Sequence, residues 1–171
     1  MFGWFKRKEE KADRKRATVL YDTVRAALDD DDDTTVRIVA SVAALLVCVA
    51  YADLDYALTE EKVLRETLER IHGLNEQGVA TILRMLREHT VTITGAEATS
   101  YSRELLELTE EDFRLELLDV LLDLAASDDE ISVAETNMLR GVSVALGLTQ
   151  HHYNASQARH REKLGVLSSR G

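Results

Sequence analysis

Residues 50–64 read AYADLDYALTEEKVL, and residues 125–139 read AASDDEISVAETNML. Superposed at an offset of 75 (125 − 50), Asp53 falls on Asp128, Asp55 on Glu130, Glu60 on Glu135 and Leu64 on Leu139. Upstream, Val42, Leu45, Leu46, Val47 and Val49 land on Leu117, Val120, Leu121, Leu122 and Leu124. Self-similarity at so long a period means that one supersecondary unit was used twice. In each copy an apolar run leads into an acidic joint and an amphipathic segment leads out.

The composition around this repeat selects the fold class. The chain has 171 residues and no proline, where average usage would supply about eight. Aromatics are only 5%, so the apolar content rests on Ala, Leu and Val. Both facts predict helices rather than strands and tight turns. The formal net charge of −10 argues against nucleic acid, whose binding depends on Lys and Arg neutralising phosphates. That charge is uneven. Residues 1–16 hold Lys6, Arg7, Lys8, Lys11, Arg14, Lys15 and Arg16 against Glu9, Glu10 and Asp13, a basic tail on an acidic body. The lone cysteine, Cys48, lies in the longest apolar run, where a thiol fills core volume and has no disulfide partner. Ile38–Ala52 carries no charge, but 15 helical residues cover about 22 Å, short of a hydrocarbon core of about 30 Å. No signal peptide is spelled at the N-terminus. The expectation is a reducing, cytoplasmic setting.

Periodicity and caps predict the elements. Val19, Leu20, Val24 and Leu28 are spaced for one helical face, and the run Asp29–Asp33 reads as a solvated loop. Thr34 or Thr35 is expected to cap a helix continuing to about Ala52. A helix from Thr59 to His72 is expected to stop at Gly73, with Asn75 capping the next one to His89. Residues 90–96, TVTITGA, form the boundary between copies, and a helix follows over 97–106. Thr109-Glu110-Glu111-Asp112 spells a capping box for a helix to Ser127, and Ser132-x-x-Glu135 spells another for a helix to Leu146. Gly147 closes that helix and Thr149 caps the last, to about Leu164. The expected molecule is an all-α bundle of about seven to eight helices over 17–171, with pseudo-repeats at about 34–89 and 97–164, preceded by the tail 1–16.

Each joint carries an Asp, an acid two residues later and a Glu seven later. Ala50, Ala52, Asp53 and Glu60 in the first copy, and Ser127, Asp128, Ile131 and Glu135 in the second, resemble the elbow Ala-x-Ala-Asp-Gly-x-Ile-x-x-x-Glu of the TerB-like (tellurite-resistance TerB) family. Gly147-Leu148-Thr149 is similar to that family as well. The resemblance covers roughly residues 34–164 and implies a metal-linked stress-response role near the membrane; it says nothing about enzymatic turnover. Two positions depart from the pattern. The family's glycine is Leu54 in the first copy and Asp129 in the second, and Tyr56 stands where an aliphatic is expected. Asp tolerates a positive φ and a branched Leu does not, so the first elbow is expected to turn differently.

Carboxylate oxygens suit hard cations, which makes Asp128, Asp129, Glu130 and Glu135 candidate ligands for Ca²⁺ or Mg²⁺, with Asp53, Asp55 and Glu60 as a secondary set. Neither joint is an EF-hand, because the positions requiring Gly hold Leu58 and Val133. The alternative is that these acids only cap helices and complement their dipoles, in a plain protein–protein interaction module. Glu69-x-x-His72 has no second copy to build a di-iron centre, and His151, His152 and His160 lack the spacing of zinc ligands on one face. All three histidines are expected at the surface. No nucleophilic triad or phosphate-cradling loop is present in the sequence. Phe2, Trp4 and Phe5 next to Lys6, Arg7 and Lys8 suit peripheral contact with the inner face of a membrane.

Overall fold

The computed structural model describes residues 20–50, 61–71, 74–88, 95–126, 131 and 133–168. Helical residues 20–27 (α1) are followed by α2 (Asp33–Ala50), α3 (Glu61–Leu68), α4 (Glu76–Glu88), α5 (Gly95–Leu108), α6 (Glu111–Ala125), α7 (Val133–Ala145) and α8 (Gln150–Ser168). Among the described residues there is no strand. None of these helices is long and apolar enough to cross a membrane. The basic aromatic tail lies outside the described residues.

The uncharged stretch becomes the central helix. From Val39 to Val49 every residue of α2 is buried, as a helix that is apolar all round must be. Helices α4, α5, α6 and α7 all pack on it. Each fully buried Leu or Val contributes roughly 1.5–3 kcal/mol over an exposed one, so α2 and the apolar face of α6 (Leu117, Leu118, Val120, Leu121, Leu122) dominate the core. Cys48 sits in it at 5% exposure, the volume-filling role its surroundings predict. Close crossing of α4 over α2 uses a small residue: a Cβ on Gly78 would lie 3.1 Å from Cγ2 of Val39.

The element positions follow the sequence offset. Adding 75 to the bounds of α2 gives 108–125, against the observed Glu111–Ala125 of α6. The same shift carries α3 to 136–143, inside α7, and a shift of 74 carries α4 to 150–162, inside α8. Packing follows the same exchange. Helix α2 packs on α4 as α6 packs on α8, while α3 packs on α6 as α7 packs on α2. Each unit's middle helix therefore rests on the other unit's first helix, and α5 bridges α2 and α7.

Local chemistry sets the helix ends. Asn75 caps α4, its Oδ1 accepting from the Gly78 amide at 2.7 Å. Thr149 caps α8 in a reciprocal pair: its Oγ1 accepts from the His152 amide at 3.2 Å, and His152 Nδ1 accepts from the Thr149 amide at 3.3 Å. Gly147, at φ 73, closes α7. Its amide reaches the Val144 carbonyl and the Leu148 amide the Ser143 carbonyl, both at 3.0 Å, the double bond of a Schellman turn.

Two caps differ from expectation. Helix α2 is capped by Asp32, whose carboxylate accepts from the Thr35 amide at 2.9 Å and its hydroxyl at 3.1 Å. Thr34 and Thr35 lie inside the first turn. The acidic run is thus a junction as well as a loop: Asn75 donates to Asp31 at 3.2 Å, Tyr21 donates to Asp33, and Arg25 donates to the Asp31 carbonyl at 2.7 Å. Thr109 belongs to the end of α5, where its amide and hydroxyl both bond the Leu105 carbonyl. The N-cap of α6 is Glu110, with no side-chain cap bond. The hydroxyl adds a second bond to a carbonyl the amide already holds, a local side-chain-to-backbone bond that here outcompetes starting the next helix.

Candidate functional site

Three helix ends meet at one end of the bundle. Glu104 accepts from Arg37 Nε at 2.6 Å and from Ser41 at 3.3 Å, while the Glu97 carboxylate acts on Cys48. Helix α5 is therefore antiparallel to α2. Cys48 donates its S–H to Met138 Sδ at 3.5 Å, and Leu106 lies against Gly147, so α7 runs parallel to α5. The C-terminus of α2 thus meets the N-termini of α5 and α7. The first elbow leaves from α2 and the second enters α7, so this end is where both acidic joints attach.

Two carboxylates are buried here. Glu135 and Glu97 are each 6% exposed, at the third position of α7 and of α5 respectively. Neither is free of interactions. The positive ends of two helix dipoles favour negative charge at both places. Burial and then the Glu97 charge push the Cys48 thiol up to about 11. Burial, then Glu97, then Glu104 push the Tyr101 phenol up to about 12. Cys48 is therefore an inert thiol at neutral pH, since only the thiolate is a good nucleophile or ligand.

Of the residues expected to form the site, Glu135 is described, and it sits at the head of α7. Asp128, Asp129 and Glu130 of the second elbow, and Asp53, Asp55 and Glu60 of the first, lie outside the described residues. Among the described residues no group of three or more His, Cys, Asp or Glu is placed to hold a metal ion. Glu97 was not anticipated from sequence, although Thr94-x-x-Glu97 spells the same box as Ser132-x-x-Glu135 and could have found it.

At the other face of the second unit, α8 is tied to α6 by polar contacts. Arg159 Nη2 donates to both carboxylate oxygens of Asp119 at 3.0 and 3.2 Å. His160 Nδ1 lies 3.0 Å from Asp123, with side-chain exposures of 12% and 26%. His160 is thus a packed residue rather than the surface one its spacing suggested; α6 packs against this face of α8 and encloses it. His151 is exposed and His152 serves the α8 cap.

The family model described as tellurite resistance protein TerB matches residues 40–158, from α2 to α8 and across both elbows. No curated protein and no solved structure matches the chain. With the repeat, the helical fold and a match over well more than half its length, the chain belongs to the TerB family.

Proposed function

We propose that this chain is a non-enzymatic helical module that holds a divalent cation, Ca²⁺ or Mg²⁺, at its elbow end. Asp128, Asp129, Glu130 and Glu135 are the principal ligands, and Asp53, Asp55 and Glu60 are the secondary ones. The observation that carries this is the burial of Glu135 at 6% exposure beside a second buried carboxylate, Glu97, at the same end. Withdrawing a carboxylate from water is costly unless it is paired, hydrogen-bonded or bound to a cation. Both carboxylates already interact within the chain; what favours a cation is that two negative charges are buried at the same end. A bound hard cation would supply positive charge there. Ca²⁺ takes roughly six to eight oxygens, so carbonyls and waters complete the shell, and Mg²⁺ keeps several waters. The module then serves a stress-response or membrane-associated assembly, with Phe2, Trp4, Phe5, Lys6, Arg7 and Lys8 as its membrane contact.

A second reading has its own support. Asp32, Asn75 and Thr149 all cap helices, so Glu135 has ample precedent in this chain as a cap in a plain protein-interaction module. Glu135→Gln separates the two, because Gln keeps the capping bond and loses the charge. A ligand at 100 times its dissociation constant adds about 2.7 kcal/mol of stability, roughly 5–11 °C for a domain of this size. Melting in millimolar Ca²⁺ or Mg²⁺ against chelator is expected to show that shift in the wild type. Glu135→Gln and Asp128→Asn are expected to lose it while melting normally in chelator. An unshifted wild type assigns the acids to capping. Sedimentation with anionic liposomes, full-length against residues 17–171, tests the tail, and equal behaviour removes the membrane contact.

A further inference from the structure

A groove of about 510 Å³ runs between α1 and α4, floored by Ala26, Ala27 and Ala80 and reaching Arg84 and Arg87. On α4 the residues Glu76, Ala80, Arg84 and Arg87 follow one another at steps of four, four and three, a single helical stripe, and all four are exposed. Glu76 and Arg84 stand about 12 Å apart on this stripe at 1.5 Å per residue, too far to pair within one molecule. Ala80 is midway between them. Arg87 is held by Glu61 at 3.5 Å, whereas among the described residues nothing pairs with Arg84 or Glu76.

We propose that this face is a two-fold interface with a second copy of the chain, α4 packing antiparallel on its mate about Ala80. A two-fold axis through Ala80 sets Arg84 of each copy opposite Glu76 of the other, so both unmatched charges are answered twice. Such self-complementarity is the defining property of an isologous contact. Alanine at the axis lets the two helices approach to the low end of the usual 8–10 Å spacing. A uniformly acidic partner fits less well, because it would meet the exposed Glu76 on the same stripe of α4. Repulsion between two bodies of charge −10 is screened beyond a Debye length of about 8 Å. The complementary charges lie within that distance.

Sedimentation velocity of the full chain from micromolar to millimolar concentration tests this at physiological salt. The wild type is expected to show a reversible monomer–dimer equilibrium. Arg84→Glu and Glu76→Arg alone are each expected to weaken it by about tenfold or more, since like charges then face each other. Mixing these two variants is expected to restore a dimer, as a heterodimer, and so is combining both changes in one chain. Unchanged circular dichroism of the variants keeps folding out of the comparison. A wild type that stays monomeric at millimolar concentration overturns the proposal. So does a dimer indifferent to Arg84→Glu, or a mixture that fails to associate.

Discussion

Replacing Gly147 by alanine should cost the second unit its α7–α8 turn, and the size of the loss can be worked from two observations. Gly147 has φ 73, a left-handed conformation that costs a residue bearing Cβ about 1–2 kcal/mol. The new Cβ would also lie 2.6 Å from Cδ1 of Leu106, far inside contact distance. Leu106 is 41% exposed, so its side chain can yield, at about 0.5–1.5 kcal/mol for leaving its rotamer. Together the two terms give roughly 1.5–3.5 kcal/mol, or a fall in melting temperature of roughly 3–14 °C. Urea denaturation with an unchanged slope should report it as a lower midpoint. The second change Leu106→Ala removes the clash and leaves the backbone term, so Gly147→Ala should cost less in that background. Asparagine at 147 should cost less backbone energy than alanine, because it tolerates the left-handed region. If Gly147→Ala is as stable as the wild type, the turn does not constrain the hairpin and this reasoning fails.

Other predictions concern charge and reactivity. Hydrogen bonds from the Thr35 amide, then from the Thr35 hydroxyl, hold Asp32 below the usual carboxylate range. A lowered native pKa means that the unfolded chain binds the proton more readily, so this contribution is present above about pH 4 and is lost as pH falls through the native value. The difference in urea midpoint between wild type and Asp32→Asn should therefore shrink from pH 6 toward pH 2.5; a gap independent of pH would refute the cap. Cys48, raised from 9.0 to about 11, should react with iodoacetamide at pH 8 about a hundredfold more slowly than a free thiol, from thiolate fraction alone. Rapid labelling of folded protein at that pH would contradict its burial beside Glu97. Because the native thiol holds its proton more tightly than the unfolded one, its contribution to stability should be intact below about pH 8.5 and fade as pH rises through 11. A Cys48→Ala variant that loses stability with alkali as steeply as the wild type would count against this.

The frame of this fold was open to view in the sequence because its signals are local and periodic. An offset that aligned Asp53 with Asp128 also aligned α2 with α6, since the apolar runs feeding both elbows share one helical pattern. Asn75, Gly147 and Thr149 announced their roles because each acts on residues within five positions of itself. What failed was competition between neighbours. Asp32 outranks the threonines because its carboxylate reaches both the Thr35 amide and its hydroxyl. Thr109 turns back to α5 because the Leu105 carbonyl lies within its reach. The site was legible only in part. Glu135 was expected as an acid at a joint, but its 6% exposure and its company with Glu97 depend on α5 crossing to α7. His160 was likewise misplaced, because its partner Asp123 is brought to it by α6, 37 residues away.

Titration calorimetry of chelator-stripped protein with Ca²⁺ and with Mg²⁺ addresses the elbow carboxylates most directly. Saturable binding of one of these ions is predicted at an affinity of about 10 μM or tighter, which millimolar cation exceeds about a hundredfold, abolished by Asp128→Asn and strongly weakened by Glu135→Gln. No binding of either ion, or binding that both variants leave intact, would contradict a cation held among these acids.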